Sequence, residues 1–212
     1  VYWGKVIEVY RQLIDASKRD VEKQVELTLV ISKVYAEELK DNVRAFEALK
    51  EAQGLAPTDE STIDKLEQMA GVLDMWDDLA EHYRDILDET FEMTIAVMYH
   101  RRRAGILLEH LGRPEDAAEH YWQIIQLDSQ DERAYASLLK YYESAEKWND
   151  LVNLLERQLD AASDDNRKQE LLLQIAGIWE NRIGNKYEAK DWYEQVITIW
   201  PDNEQADRKS VV

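Results

Sequence analysis

Small and apolar residues recur along this chain at two nested intervals, and the intervals predict its elements. Ala45, Ala117 and Ala189 stand 72 residues apart, as do Leu49, Tyr121 and Tyr193, and Glu60, Glu132 and Glu204. Trp76 and Trp148 share that spacing. The segments WDDLAEHYRDILD from Trp76 and WNDLVNLLERQLD from Trp148 align without a gap, and WGKVIEVYRQLID from Trp3 joins them after a shift of one residue. Self-similarity at a fixed period marks a stacked repeat, in which each unit buries its apolar face on the next. Inside each copy the pattern divides again, at Val6, Ala45, Leu79, Ala117, Leu151 and Ala189, with later gaps alternating between 34 and 38 residues. Each of these residues is expected near the start of the second helix of an antiparallel hairpin. Four extra residues amount to about one turn of α-helix, so the longer gap predicts a lengthened helix whose apolar face keeps nearly its direction.

Turn residues agree with long helices and short connectors, since the chain holds only 7 glycines and 3 prolines. Gly112 and Pro114 bracket one connection, the glycine suited to a left-handed helix exit and the proline to the first position of the next helix. Pro57, Thr58 and Asp59 end one helix and cap another, and Ser163 and Asp164 offer caps to a helix running to about Ile183. About eleven or twelve helices follow. The first spans Tyr2 to about Asp15 as a second-type helix without its first-type partner, and the last only begins after Asn203. Such arrays need polar end repeats, so the natural polypeptide is expected to continue beyond both termini, or the end faces to pair in a homodimer.

The segment LLLQIAGIWENRIGNKYEAKDWYEQVITIWP resembles the tetratricopeptide-repeat family. Leu173, Ala176, Gly177, Ala189, Tyr193, Val196 and Pro201 fall in order on the family's large, leucine, small, small, aromatic, small and proline positions. One unit earlier, Ala104, Gly105, Gly112, Ala117, Tyr121 and Ile124 do nearly as well, while Ala45, Leu49, Ala52 and Pro57 keep part of the pattern. The intervening hairpins, such as that with Leu66, Ala70, Trp76, Leu79 and Tyr83, use leucine where the family prefers alanine. The resemblance covers essentially the whole chain. It implies an all-α fold, an α-α superhelix or right-handed solenoid of antiparallel helix hairpins, forming one array with units of about 1–57, 58–129 and 130–201 and the start of a further helix. Small residues let paired helices approach closely, and the aromatic opposite fills the gap.

Composition narrows the chemistry. There is no cysteine, so disulfides, thiolate metal sites and a cysteine nucleophile are excluded. The four histidines, His82, His100, His110 and His120, show no metal-ligand spacing, and no nucleophile elbow or phosphate-binding glycine loop occurs. The expectation is a chain that is not an enzyme and takes no metal or cofactor. A formal net charge of −18 opposes direct contact with nucleic acid, and no apolar run suits membrane insertion. A cytoplasmic location is the default reading.

By the resemblance, the inner face of the array grips a partner protein or peptide. Position by position, its residues are Tyr99, Arg102, Ile106 and Glu109 in one hairpin, Arg133, Ala136, Lys140 and Glu143 in the next, then Gln174, Ile178, Asn181 and Arg182. Arg102, Arg133, Lys140 and Arg182 form a basic stripe suited to an acidic segment. Alternatively these cations pair with acidic neighbours along and between helices. Around Leu27, Val30 and Val34 the same face turns apolar. The family's two-carboxylate clamp is not reproduced, since Arg102 and Ile106 stand where lysine and asparagine are needed. The alternative is a structural subunit of a larger assembly with an empty groove, or a component of an RNA-processing complex, where related half-repeats occur.

Overall fold

The computed structural model describes residues 2–210, which form twelve α-helices and no strand. The helices gather into two compact units that meet in sequence between Arg113 and Pro114. The first holds α1 (Tyr2–Ala16), α2 (Val21–Lys33), α3 (Asn42–Leu55), α4 (Glu60–Leu73), α5 (Trp76–Glu89) and α6 (Met93–Glu109). The second holds α7 (Pro114–Leu127), α8 (Glu132–Ser144), α9 (Trp148–Ala161), α10 (Asp165–Ile178), α11 (Lys186–Ile199) and α12 (Glu204–Ser210). Within each unit every helix packs on the next. The residues that marked the repeat explain the packing: Ala45, Leu79, Ala117, Leu151 and Ala189 are all buried on second-type helices, where short side chains bring the paired helix close.

The longer gap lengthens the first helix of a hairpin. α6 has 17 residues where α4 has 14 and α8 has 13. At the two other long positions the extra residues form a π-helical turn, Val34–Glu38 continuing α2 and Trp179–Ile183 continuing α10. An insertion of one turn is thus absorbed within a helix, without breaking it.

Helix ends keep the same register. Lys40, Asp74, Gly112, Glu146 and Gly184 have positive φ, at successive spacings of 34, 38, 34 and 38 residues. Each lets the next N–H turn back onto the helix it ends: Met75 N to the Ala70 carbonyl and Lys147 N to that of Tyr142, both at 2.9 Å, and Arg113 N to that of Leu107 at 2.7 Å. This is a left-handed helix stop, at which glycine costs nothing and a Cβ costs about 1 kcal/mol. Starts repeat too. Asp59, Asp131 and Asn203, 72 apart, accept from the backbone N–H of Thr62, Ala134 and Ala206. Asp20 and Asp164, two periods apart, do the same for Lys23 and Arg167.

Candidate functional site

Two places that the 72-residue register makes equivalent lie between successive first-type helices, one in each unit. In the first unit, α4 and α6 face each other across α5, and the space between them is filled by the protein itself. Arg102 on α6 reaches back to α4, with Nη1 2.9 Å from Glu67 Oε1 and Nη2 bonded to Glu60. Tyr83 on α5 donates its hydroxyl to the same Glu67 oxygen at 3.0 Å, and its ring meets the Tyr99 ring edge-on at 5.0 Å.

A buried chain of polar groups continues behind this. Gln53 Nε2 donates to the Tyr99 hydroxyl, which donates to the Pro57 carbonyl, while Gln53 Oε1 accepts from His82 Nε2. An amide oxygen only accepts, so His82 carries its proton on Nε2. Burial, aided by the nearby Lys50 charge, lowers the His82 pKa to about 4. Burial and then the Glu67 carboxylate push the Tyr83 phenol well above its ordinary range. Burial likewise raises Tyr99. Arg102 is partly desolvated, but Glu67 and Glu60 more than offset this and raise its pKa. This arrangement is structural: its buried polar atoms are paired with one another.

The second unit leaves the equivalent place open. Between α8 and α10, floored by α9, lies a cavity of about 770 Å³. Leu139 and Glu143 line it from α8, Trp148, Leu151 and Leu155 from α9, and Gln174, Ile178, Asn181 and Arg182 from α10 and its π turn. The Arg182 guanidinium lies 4.9 Å from the centre of the Trp148 ring. Its counterpart pair in the first unit is His110 stacked flat on Trp76 at 3.7 Å. Gly71 stands where the second unit has Glu143; a Cβ there would come within 3.2 Å of the Trp76 ring, so a side chain at this place needs the ring to give way by a few tenths of an ångström.

The groove residues expected from sequence are therefore divided. Gln174, Ile178 and Arg182 come together at the open site, with Glu143 and Asn181. Arg133, Ala136 and Lys140 are exposed on α8 outside that lining. Tyr99 and Ile106 are buried in the core with Phe46, Leu66 and Tyr83, so neither offers surface to a partner. Arg102 follows the alternative reading and spends its charge on Glu60 and Glu67. Leu27 and Val34 belong to the core against α1, and only Val30 lines the second, apolar cavity of about 620 Å³ between α2 and α4, with Leu29, Leu49, Met69 and Val72. The single-hairpin pattern did not point to Trp148, Leu139 and Leu155 as lining residues. The signal was present in the register, which sets them against Trp76, Glu67 and Tyr83.

Among the described residues no cluster of three or more His, Asp or Glu is placed to hold a metal ion, and no helix is long and apolar enough to cross a membrane.

No protein-family model matches the chain, and no curated protein matches it in sequence. Several solved structures resemble it in architecture. MamA is 19% identical, with 74% of this chain and 87% of that one covered at a TM-score of 0.43. YrrB, described as a TPR protein with an unusual peptide-binding site, is 12% identical over 97% of this chain and all of that one, at a TM-score of 0.41. A tetratricopeptide repeat protein from Parabacteroides merdae is 18% identical, covering 88% of this chain and 70% of that one, also at 0.41. The solved structures similar to this chain thus include tetratricopeptide-repeat proteins, the family that its motif residues resemble.

Proposed function

We propose that this protein is an interaction scaffold that holds a segment of a partner protein in the open site between α8 and α10. The observation that carries the reading is the cavity, walled by Gln174, Ile178 and Arg182 and floored by Trp148 and Leu155. An apolar floor of Trp148 and leucines beneath mostly polar walls suits a peptide: the floor supplies area, and the walls supply orientation. One similar structure is described as having an unusual peptide-binding site, and another, from yeast Sti1, as a complex with pHSP90, which accords with a scaffold role. The net charge of −18 favours a protein partner over a nucleic acid.

The test is site-specific photo-crosslinking. A benzophenone amino acid at Ile178 is expected to trap one defined partner segment, whereas the same label at Tyr187, exposed on α11, is expected to trap none preferentially. Equal trapping at both positions removes the site from consideration.

A further inference from the structure

The first unit shows what the open site in the second unit lacks. Glu67, Tyr83 and Arg102 fill the space between α4 and α6, and residues 72 positions later are Leu139, Leu155 and Gln174. A carboxylate, a phenol ring and a guanidinium have been exchanged for two leucines and a neutral amide. The behind-lying polar chain goes with them, since Gln53, His82 and Tyr99 become Ile125, Leu154 and Leu171, all buried. The place of that polar chain is therefore filled by aliphatic side chains in the second unit, and a cavity lies where Glu67, Tyr83 and Arg102 close the first. Ile178 is half-exposed at its wall, whereas Ile106, its counterpart, is buried.

The cation of the first unit is displaced rather than lost. Arg182 stands where the first unit has His110, and its guanidinium rests on the Trp148 ring. Among the described residues no carboxylate lies within ion-pair distance of it, in a chain with 44 acidic residues. An arginine held over an aromatic face keeps its in-plane N–H groups free for a carboxylate. Asn181 and Gln174 add amide groups on the same wall, and Glu143 faces them from α8. Glu143 repels a second anion and accepts from a peptide N–H, so the site suits one carboxylate near Arg182 and an uncharged backbone near Glu143.

We infer, on the strength of the groove reading proposed above, that the α8–α10 site takes a peptide segment in which a large aromatic side chain is followed directly by a carboxylate residue. The ring lies on Leu139 and Ile178 over the buried Leu155, at the place that Tyr83 and the ion pair close in the first unit, and the carboxylate pairs with Arg182. The partner supplies what the first unit supplies from its own chain.

The probes are two capped dipeptides, acetyl-Phe-Asp-amide and acetyl-Phe-Asn-amide, titrated into the full chain and followed by the indole N–H resonance of Trp148, assigned with Trp148→Phe. The acidic probe is expected to bind at least about threefold more tightly than its amide counterpart, as a partly solvated charge-assisted bond gives. Arg182→Gln removes that difference, and Glu143→Gln strengthens the acidic probe. The triple variant Leu139→Glu, Leu155→Tyr, Gln174→Arg installs the first unit's filling and abolishes binding of both probes while the helical signal and a cooperative melt persist; should it not fold, Leu155→Tyr alone is the blocking variant. Equal affinity for the two probes, a preference that survives Arg182→Gln, binding that survives closure, or no binding of either probe overturns the inference. Each of these leaves the scaffold reading to the Ile178 crosslink, which fails if Ile178 traps no partner segment in preference to Tyr187.

Discussion

Between α4 and α6 the chain closes on itself with tyrosines, a glutamine, a histidine and an Arg–Glu pair; between α8 and α10 the same positions carry four leucines, an isoleucine and a glutamine, and the space stays open. The helices keep the same register in both, down to the left-handed stops, although the π turn Trp179–Ile183 continues α10 where α6 stays α-helical, and Asp164 caps α10 where Glu92 gives α6 no side-chain cap. The difference shows that a repeat scaffold decides where a site falls, and that side-chain volume at a few positions decides whether it is a core or a cavity. Buried polar groups make the first place dependent on every partner, because an unmatched donor or acceptor keeps its desolvation cost. Apolar packing makes the second place tolerant, and leaves it free to accept something else.

Converting one place toward the other should break this contrast. The largest effect is expected for Tyr99→Leu, the residue found at 171: it removes a fully buried ring and strips Gln53 and the Pro57 carbonyl of their partner. A loss of about 3 kcal/mol in urea unfolding is expected. A loss below about 1 kcal/mol would show that the polar chain does not support the first unit.

His82 comes next. Its pKa is lowered from 6.5 to about 4, so the unfolded chain binds the extra proton first as pH falls. The stability it contributes is complete above about pH 6.5 and declines as pH drops toward 4, by roughly 2–3 kcal/mol. His82→Gln, which keeps a donor for Gln53, is expected to flatten that part of the pH profile relative to the parent. Leu154, its counterpart, gives the second unit no such dependence.

The two arginines separate the sites more gently. Arg102→Met leaves Glu67 partly buried without its cation and is expected to cost about 1–2 kcal/mol. Arg182→Met loses only a contact with Trp148 and is expected to cost less than about 1 kcal/mol. Paired thermal melts give the comparison, and equal losses would show that both arginines are structural. Smallest are the helix stops. Glu146→Gly and Asp74→Gly are each expected to stabilise by about 0.5–1 kcal/mol, less at Asp74 because aspartate tolerates the left-handed region better.

Much of the fold was legible because its signals are local. The 34 and 38 spacing of Leu79, Ala117, Leu151 and Ala189 reports helix pairing, and Asp59, Gly112 and Pro114 cap or stop helices through atoms a few residues away. The stops at Lys40, Asp74 and Glu146 were not, since no glycine marks them and only the register places them. The lining of the cavity was legible in part. Gln174, Ile178 and Arg182, expected on one helix face, do line it, while Tyr99, Ile106 and Arg102 share the equivalent face and yet are consumed within the fold.

Sequence alone determined the repeat, the helices and their order, because small, apolar and capping residues act over one turn or one hairpin. Only the tertiary structure decided which inner-face residues remain available. That choice depends on whether Glu67 and Tyr83, or Leu139 and Leu155, stand across the gap, and a side chain's free surface is set by what lies opposite it in space.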